Sequence, residues 1–590
     1  MDIGTQHRAL ALMRRIIDSK RCTVPAIATR PQKPACRIDA PIQQPFPRRS
    51  PESQGISSDH IAGFLEAIQN DNTLDPHSIM ILCNGIVIAE GAFGAYDLRV
   101  WHITHSACKS ITSLAVGILI DEGKLSLDEP IVKIFENNVP ILSPLTHKNL
   151  TVRHLLTMTS GIMFNETGSV TEKDWIRCFF ESAMIPEPGK QFAYNSMNTY
   201  MLSAIIKQVS GQGLTDYLQE RLWGPLGITE IFWEKCPKGI EKGGWGLYIR
   251  PEDLAKIGQL VLQKGRWGDR QLISEDWIAH ATGSKTDTPA IYGGYQYGHQ
   301  IWVGRDGNSF LFNGIFSQNV LGFPDSGILI VSNAGNDELF LQSNFFTLVD
   351  KYFSQNLNKK NVLPENSRAY RHLKRLQGSL RQVSSSALGK RKTYRLQDGK
   401  WMGLSKLCTQ LSGRIYLTEA AAALPVSILP LLTQAIQNNY GKGVKSLAFS
   451  LREGHFIITV NETDETYSFT IGFDKPMLTN LSFHDEPYRV GVTGWFAADE
   501  QNRLVLMLRF SFLEIANARL LKITFHGNTI ITKWVESPGR QIIINAFDAV
   551  TNEIKFYPFL ESVIRKLDKD YIHYKIDRVL EPEVLFQRQL

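Results

Sequence analysis

The chain has 590 residues, of which 43% are hydrophobic and 21% are charged, and its formal net charge is +6. One hydrophobic core rarely organises so many residues, so we expect two or three domains. The small net charge does not indicate a nucleic-acid partner, and no apolar run is long enough to span a membrane. Composition therefore favours a globular protein with neither kind of partner.

The first 50 residues are predicted to form a partly irregular leader, because prolines interrupt any regular element from Val24 onward. The N-terminus lacks the apolar core and cleavage site of a secretory signal. Cysteines occur without a C-x-x-C pair, which favours reduced thiols and predicts a cytoplasmic protein without a disulfide framework or zinc site. They stand at positions 22, 36, 83, 108, 178, 236 and 408.

The globular pattern begins near Ser57, and its first clear element is a hairpin. Two apolar runs at 79–83 and 86–89 are separated by Asn84 and Gly85. Asn-Gly supplies the two positive-φ positions of a type I′ turn. We therefore expect two antiparallel strands here.

A hydroxyl and an amine are then placed one helical turn apart. Ser106 and Lys109 stand at i and i+3 and share a helix face, and the uncharged run 110–120 predicts a helix packed on all sides, ended by Gly123. A lysine at the mouth of a buried helix loses hydration and with it some basicity. This pair can provide a weak nucleophile with a nearby proton acceptor.

Helical signals continue to about 280, including a helix at 197–209 that follows Tyr194. Strands are then predicted at 300–303, 310–312, 319–322 and 327–331. Strands first, helices between and strands last predict an α+β domain over 51–352 whose two ends share one sheet. The basic stretch 353–400 is interpreted as a solvated linker and helix face.

The pattern changes to period two in the last third of the chain. Short apolar runs separated by turn signals predict an antiparallel β-barrel over 401–590. They lie at 447–451, 456–460, 467–471, 504–510, 520–525 and 529–532, and a final helix is expected at 559–569.

These features together resemble the serine β-lactamase and penicillin-binding-protein superfamily, in its class C-like branch of esterases, D-aminopeptidases and amidases. The resemblance is carried by Ser106-x-x-Lys109, by Tyr194 in the turn 188–196, and by similar text at 125–130, 151–161, 244–256 and 265–273. It implies a β-lactamase-like antiparallel sheet with a helical subdomain. The barrel is similar to the lipocalin-like accessory domains of that branch.

The resemblance also implies roles. Ser106 would be the acylated nucleophile, and Tyr194 would shuttle its proton to the leaving group. Lys109 would hold both side chains and favour the phenolate of Tyr194 by its charge. The backbone N–H of Ser106 would form half of an oxyanion hole.

Two departures from the family pattern bear on the substrate. Ser196 stands where an amide usually orients the substrate, and the third family element reads Phe312-Asn313-Gly314 without its cation. A carboxylate-bearing β-lactam usually meets that cation, so such substrates are disfavoured. Gly314 would let the strand approach the substrate, and the N–H of Ile315 would complete the oxyanion hole.

We therefore expect a serine hydrolase that cleaves an ester or amide, including peptides with D-amino acids, through a Ser106 acyl-enzyme. Two alternatives stay open: an acyltransferase or peptide cyclase with the same nucleophile, and a sensor or binding module without turnover. No metal or cofactor is implied, because His102, His105 and His154 lack ligand spacing and are expected to be packed or exposed to solvent. The partner is a small molecule or peptide, and the C-terminal domain is a candidate surface for homo-oligomers.

Overall fold

Two large antiparallel sheets organise the chain, one of seven strands and one of ten. With the helices between them, they confirm the predicted α+β class. The computed structural model describes scattered positions before residue 33 and then 33–136, 139–140, 143–283, 286–305, 307–337, 341–354, 357, 359, 361–381, 393–395, 401–418, 426–540, 544 and 569–589.

The seven-stranded sheet joins the two ends of the predicted hydrolase segment. Its order is β2-β1-β7-β6-β5-β4-β3, so the first strand pairs directly with the last, as the sequence predicts. Asn84 and Gly85 have φ of 50° and 73° and confirm the hairpin turn. The strands are β1 (Pro76–Cys83), β2 (Ile86–Ala92), β3 (Gln296–Tyr297), β4 (Trp302–Val303), β5 (Phe310–Gly314), β6 (Gln318–Phe323) and β7 (Ile328–Ala334).

One predicted strand is shorter than expected. The run 300–303 retains only Trp302–Val303 as strand, because Gln300 has φ of 61° and turns its buried side chain away. Its amide nitrogen donates to the carbonyl oxygens of Leu155 and Leu156, which satisfies polar groups under the helical layer. The sequence pattern did not reveal this buried polar use of Gln300.

Five longer helices cover the sheet and frame the site. They are α1 (Ser58–Asn70), α2 (Cys108–Asp121), α3 (Ser196–Ser210), α4 (Pro251–Leu262) and α5 (Ser367–Ser379). Shorter helices lie at Ile131–Ile134, Ser143–Thr146, Val152–Leu156, Glu166–Ser169, Trp175–Glu181, Leu214–Leu218, Glu275–Gly283 and Asn344–Val349, and a small sheet joins His102–Ile103, Ile231–Trp233 and Leu247–Ile249.

Helix α2 is the central element of this layer. Every residue from position 108 to 119 is buried, which confirms a helix packed on all sides, and α3 packs against it. Gly123 has φ of 68° just after the helix ends. Helix α3 begins one residue earlier than predicted, since the Asn195 side chain accepts the N–H of Met197 as an N-cap.

The predicted linker is partly a packed helix. Asn366 caps α5, and Ala369 and Leu373 are buried where α5 packs against α1 and β2. Residues 382–392 and 396–400 of that stretch lie outside the described residues. The sequence pattern of basic residues concealed a narrow apolar stripe on one side of the helix.

The predicted leader is irregular over residues 33–50 but is bound to the folded chain. The guanidinium of Arg250 donates to the carbonyl oxygens of Ala40 and Arg37. Arg48 forms an ion pair with Glu252. Buried Arg250 satisfies backbone groups that no secondary structure pairs, and buried Glu252 binds the Arg48 guanidinium, so this segment is part of the folded unit.

The ten-stranded sheet is a nearly closed antiparallel barrel. Its order is β11-β10-β9-β8-β17-β16-β15-β14-β13-β12, and the two outermost strands lie next to each other. A core of apolar side chains fills its interior. The strands are β8 (Ile415–Leu417), β9 (Val444–Arg452), β10 (His455–Glu462), β11 (Thr466–Thr470), β12 (Met477–Phe483), β13 (Glu486–Ala498), β14 (Leu504–Phe512), β15 (Ala518–His526), β16 (Thr529–Ser537) and β17 (Glu583–Arg588).

Two sequence predictions about the C-terminal region, its likeness to lipocalins and its final helix, stay predictions. Lipocalin barrels have eight strands and this one has ten, so the lipocalin likeness stays a prediction. Of the helix predicted at 559–569, residues 559–568 lie outside the described residues. A helix is present at Lys569–Leu580.

The barrel contacts the hydrolase layer beside the nucleophile turn. The N–H of Ile103 donates to the carbonyl oxygen of Glu514 at 2.8 Å. Phe316, in the loop after β5, forms a small apolar cluster with Leu432 and Ala516 of the barrel. Among the helices of the described residues, none has the length and apolar character needed to cross a membrane.

Candidate active site

Ser106 lies in a strained turn at the start of α2. A 3-10 turn spans His105–Ala107, and His105 has φ of 45°, a left-handed conformation that is uncommon for a residue with a side chain. The buried His105 ring packs edge-on against Phe316 with 5.5 Å between centroids. Burial lowers the pKa of His105 to about 3, so its imidazole is neutral. The turn leaves Ser106 half-buried.

Lys109 is the closest ionisable partner of the nucleophile. Its side chain is buried, and Nζ donates to Ser106 Oγ and to the carbonyl oxygen of Gly244, both at 2.8 Å. Loss of hydration lowers the pKa of Lys109 to about 8, although the Glu166 carboxylate acts in the opposite direction. The structure thus brings together the two residues that the S-x-x-K spacing predicts.

Tyr194 lies beside Ser106 and Lys109, but its protonation state differs from the one that the family resemblance implies. Its hydroxyl hydrogen-bonds with Ser106, and Lys109 Nζ lies 5.0 Å from its ring centroid. Burial raises the pKa of Tyr194 well above its usual value of 10, and the negative charge of Glu166 raises it further. Desolvation therefore outweighs the nearby ammonium, and the geometry favours a neutral phenol rather than the expected phenolate.

Aromatic packing fixes the direction of the Tyr194 ring. The ring of Trp302 stacks beside it at 6.0 Å, tilted by 18°. Tyr297 meets it edge-on at 6.3 Å, and the ring of Tyr292 lies 6.5 Å away, tilted by 40°. These contacts restrict the phenol to small rotations, so its hydroxyl stays at the nucleophile.

The turn after Tyr194 is tied to a neighbouring segment. The Asn195 amide nitrogen donates to the carbonyl oxygens of Ile162 and Phe164. The backbone N–H of Ser196 donates to Glu166 Oε1 at 2.8 Å. Asn195 therefore holds the turn. Ser196 is buried beside Gly244, and its contact with substrate stays a prediction.

Gly314 lies against the nucleophile turn. A Cβ added at this residue would overlap the carbonyl oxygen of Thr104 and lie 3.2 Å from the N–H of Ala107. The expected close approach is present, but it is an approach to the Ser106 turn rather than an observed approach to substrate. The glycine allows β5 to run beside the turn where an oxyanion would form.

The neighbours of Gly314 have different surroundings. Phe312 is fully buried in the core of the helical layer, so the position of the family cation is apolar. Asn313 is also buried, and its amide nitrogen donates to Asn319 Oδ1 on the next strand at 2.8 Å. Ile315 is half-buried and begins the loop to β6. The Asn313 side chain thus serves the sheet, while the oxyanion role of the Ile315 N–H stays a prediction.

A family model described as Beta-lactamase matches residues 77–336, which include all the residues of the candidate site. Residues 77–336 belong to the beta-lactamase family. This match confirms the resemblance to the serine β-lactamase and penicillin-binding-protein superfamily, and the chain outside it is not covered by the model.

The beta-lactamase-family segment is similar to several known proteins. Protein flp of Staphylococcus aureus (strain COL) is 30% identical over 26% of this chain. The matched part of this chain spans only 33% of the length of that relative. The 6-aminohexanoate-dimer hydrolase of Paenarthrobacter ureafaciens is 26% identical over 43% of this chain and 71% of its own. A solved octameric penicillin-binding-protein homologue of Pyrococcus abyssi matches 80% of this chain and 96% of its own, with a TM-score of 0.39 and 16% identity.

Sequence reasoning missed three contributors to the site of this beta-lactamase-family domain. Gly244 supplies the carbonyl that binds Lys109, Glu166 supplies a carboxylate beside Tyr194, and Phe316 supports His105. Contacts made by backbone carbonyls and by loops produce no recognisable pattern of residue types in the sequence. Glu166 had a weak local signal, since it follows Asn165, which caps the short helix Glu166–Ser169.

Proposed function

We propose that this protein is a serine hydrolase that cleaves an ester or amide through a Ser106 acyl-enzyme. The observation that carries the proposal is the 2.8 Å hydrogen bond between Lys109 Nζ and Ser106 Oγ, made by a lysine whose pKa burial lowers to about 8. An amine with that pKa is partly neutral near pH 8 and is able to accept the serine proton.

The proton path follows from the two shifted groups. As Ser106 Oγ attacks the substrate carbonyl carbon, its proton passes to the neutral amine of Lys109. The N–H groups of Ser106 and Ile315 are the proposed donors to the oxyanion that forms. Tyr194, kept neutral, relays a proton from the Lys109 ammonium to the leaving group, and water then cleaves the acyl-enzyme with the same residues in reverse order.

The substrate class follows from the surroundings of Ser106. Buried Phe312 provides no cation for the carboxylate of a β-lactam or of a D-Ala-D-Ala terminus. The relative named 6-aminohexanoate-dimer hydrolase supports a linear amide or ester as the alternative. We therefore favour uncharged or cationic acyl substrates over classical β-lactams.

The larger organisation is also part of the proposal. We assign the hydrolase to 51–352 and the barrel domain to 401–590, with 353–400 between them. Contact between the barrel and Phe316 supports a role of the barrel in shaping the site. Six free thiols among the described cysteines support a reducing, cytoplasmic location. Homo-oligomer formation through the barrel stays a prediction.

The test is covalent labelling combined with turnover. Full-length protein and Ser106→Ala are treated with a fluorophosphonate and with a β-lactam, and intact mass is measured. We expect the fluorophosphonate to label only the wild type and the β-lactam to label it poorly. Wild type should also hydrolyse a p-nitrophenyl ester, whereas stable labelling without turnover would favour the sensor alternative. Added amine that yields a new amide product would favour the acyltransferase.

A further inference from the structure

A carboxylate lies beside the proposed catalytic residues. Glu166 begins the short helix Glu166–Ser169, and its half-buried side chain accepts the N–H of Ser196 through Oε1 at 2.8 Å. The Asn195 amide bonds to the carbonyl oxygens of Ile162 and Phe164, so the segment leading to Glu166 runs alongside the Tyr194 turn. Two independent sets of hydrogen bonds therefore hold this carboxylate next to Tyr194.

The charge of Glu166 reaches across the site. It raises the pKa of Lys109, of Tyr194 and of Tyr292, whose pKa rises to about 12 mainly because of burial. Tyr292 belongs to the aromatic group that packs around Tyr194. The carboxylate thus acts on both sides of the proposed proton path and on the aromatic wall beside it.

Glu166 acts on the charge of Lys109 from a distance but makes no direct ion pair with a described cation. Within the described part of the chain, no lysine, arginine or histidine lies within ion-pair distance of Glu166. Sixteen of the described acidic residues before position 280 do form such pairs, among them Glu230, Glu234 and Asp253. The strand position that carries a cation in related sites is the buried Phe312. The local charge is therefore the reverse of a carboxylate-binding site.

We propose that Glu166 selects substrates that carry a positively charged group, of the primary ammonium class, close to the ester or amide that Ser106 attacks. This inference rests on the proposed hydrolase function. An ammonium group would gain a charge-assisted hydrogen bond to the carboxylate and would meet aromatic faces that also favour cations. An anionic substrate would meet repulsion at the same place.

A structural role for Glu166 makes a different prediction. If the carboxylate only accepts the Ser196 N–H and stabilises the start of α3, its replacement would lower the turnover of all substrates by the same factor. A recognition role changes the ratio between substrates of different charge. Glutamine is the informative replacement because its amide oxygen still accepts the Ser196 N–H.

The experiment measures kcat/KM for three p-nitrophenyl esters of equal chain length, with a terminal ammonium, methyl or carboxylate group. Full-length wild type is compared with Glu166→Gln and with the matched control Glu181→Gln, which removes a surface carboxylate of a neighbouring helix paired with Arg177. We expect wild type to prefer the ammonium ester over the methyl ester by about tenfold, as one charge-assisted hydrogen bond allows. The ratio should fall towards one in Glu166→Gln and stay unchanged in Glu181→Gln.

The outcomes separate the inference from the function it rests on. If none of the esters is hydrolysed in a Ser106-dependent manner, the proposed function fails and the inference fails with it. If the methyl ester is hydrolysed by wild type and not by Ser106→Ala, the function stands. An ammonium-to-methyl ratio that is one in wild type, or that Glu166→Gln leaves unchanged, then overturns the inference alone.

Discussion

Among the described residues of the beta-lactamase-family domain, two lysines, Lys109 and Lys256, are fully buried, and their hydrogen-bond partners differ in one respect. Lys256, on α4, donates to Asp253 Oδ1 at 2.8 Å and to the carbonyl oxygen of Gln43 at 2.6 Å. Lys109, on α2, donates to a hydroxyl and a carbonyl, both at 2.8 Å, with no carboxylate in contact. Lys256 therefore has an ion-pair partner. Lys109 has only neutral partners in contact, and its loss of hydration lowers its pKa to about 8.

The comparison separates a stabilising lysine from a chemically active one. The region around Lys256 joins α4 to the N-terminal segment, while the region around Lys109 joins α2 to the nucleophile and to the Gly244 carbonyl. Burial alone does not distinguish the two residues, and neither does their helical setting. The partner atoms do, and the predictions below change those partners in turn.

The largest effect is expected from Lys109→Met. Loss of the proposed base should lower kcat/KM for a neutral ester by about 10³-fold, within the range for general bases. Stability should behave in the opposite way. A pKa lowered from 10.5 to about 8 corresponds to about 3 kcal/mol against the charged lysine, which the methionine removes, offset by two lost hydrogen bonds. Urea unfolding at pH 7 should therefore show no loss of stability.

The pH dependence of stability provides a second test of the lowered Lys109 pKa. The folded-state pKa of Lys109 lies below that of the unfolded chain, so lowering the pH from about 10 to about 8 protonates the unfolded state first and lowers wild-type stability. Below about pH 8 this contribution is constant. Lys109→Met should lack that decrease. If its free energy of unfolding at pH 7 is several kcal/mol below that of wild type, the lowered pKa of Lys109 is contradicted.

Lys256→Met should give the reverse result. Removing the cation leaves Asp253 buried and unpaired, together with the Gln43 carbonyl that Lys256 binds. Breaking a buried pair on one side costs about 3–5 kcal/mol, so the urea midpoint should fall strongly. The midpoint pH of ester hydrolysis should be unchanged in the protein that remains folded. A shift of that midpoint would show that the surroundings of Lys256 affect the pKa of Lys109, against the comparison.

Gly314→Ala tests the approach of β5 to the nucleophile turn. The added methyl overlaps the Thr104 carbonyl oxygen, so the strand and the turn must separate. Overpacking of this kind costs about 1–3 kcal/mol of stability. Displacement of the proposed oxyanion donors should lower kcat more than KM changes. Gly378→Ala in α5, where nothing lies within 4 Å of the added Cβ, is the matched control.

Sequence patterns predicted much of this arrangement. Asn84-Gly85 predicted the hairpin, the uncharged run 110–120 predicted α2, and the motif spacing placed Lys109 beside Ser106. The protonation states were not accessible in the same way, because the pKa of Tyr194 depends on burial by residues as distant as Trp302. Glu166 was missed because its neighbours are brought together by hydrogen bonds across segments.

The smallest effect is expected in the pH profile of Glu166→Gln. For a neutral ester, wild-type kcat/KM should rise with pH to a plateau, with a midpoint near the Lys109 pKa of about 8, because only the neutral amine accepts the serine proton. The Glu166 charge raises that pKa, so its removal should move the midpoint to lower pH by a fraction of a unit. Tyr194→Phe should reduce the plateau without an acid shift, because the phenol is neutral across this range. If Glu166→Gln moves the midpoint to higher pH, or Tyr194→Phe abolishes the titration, Lys109 is not the base, and the contrast between the two buried lysines loses its chemical meaning.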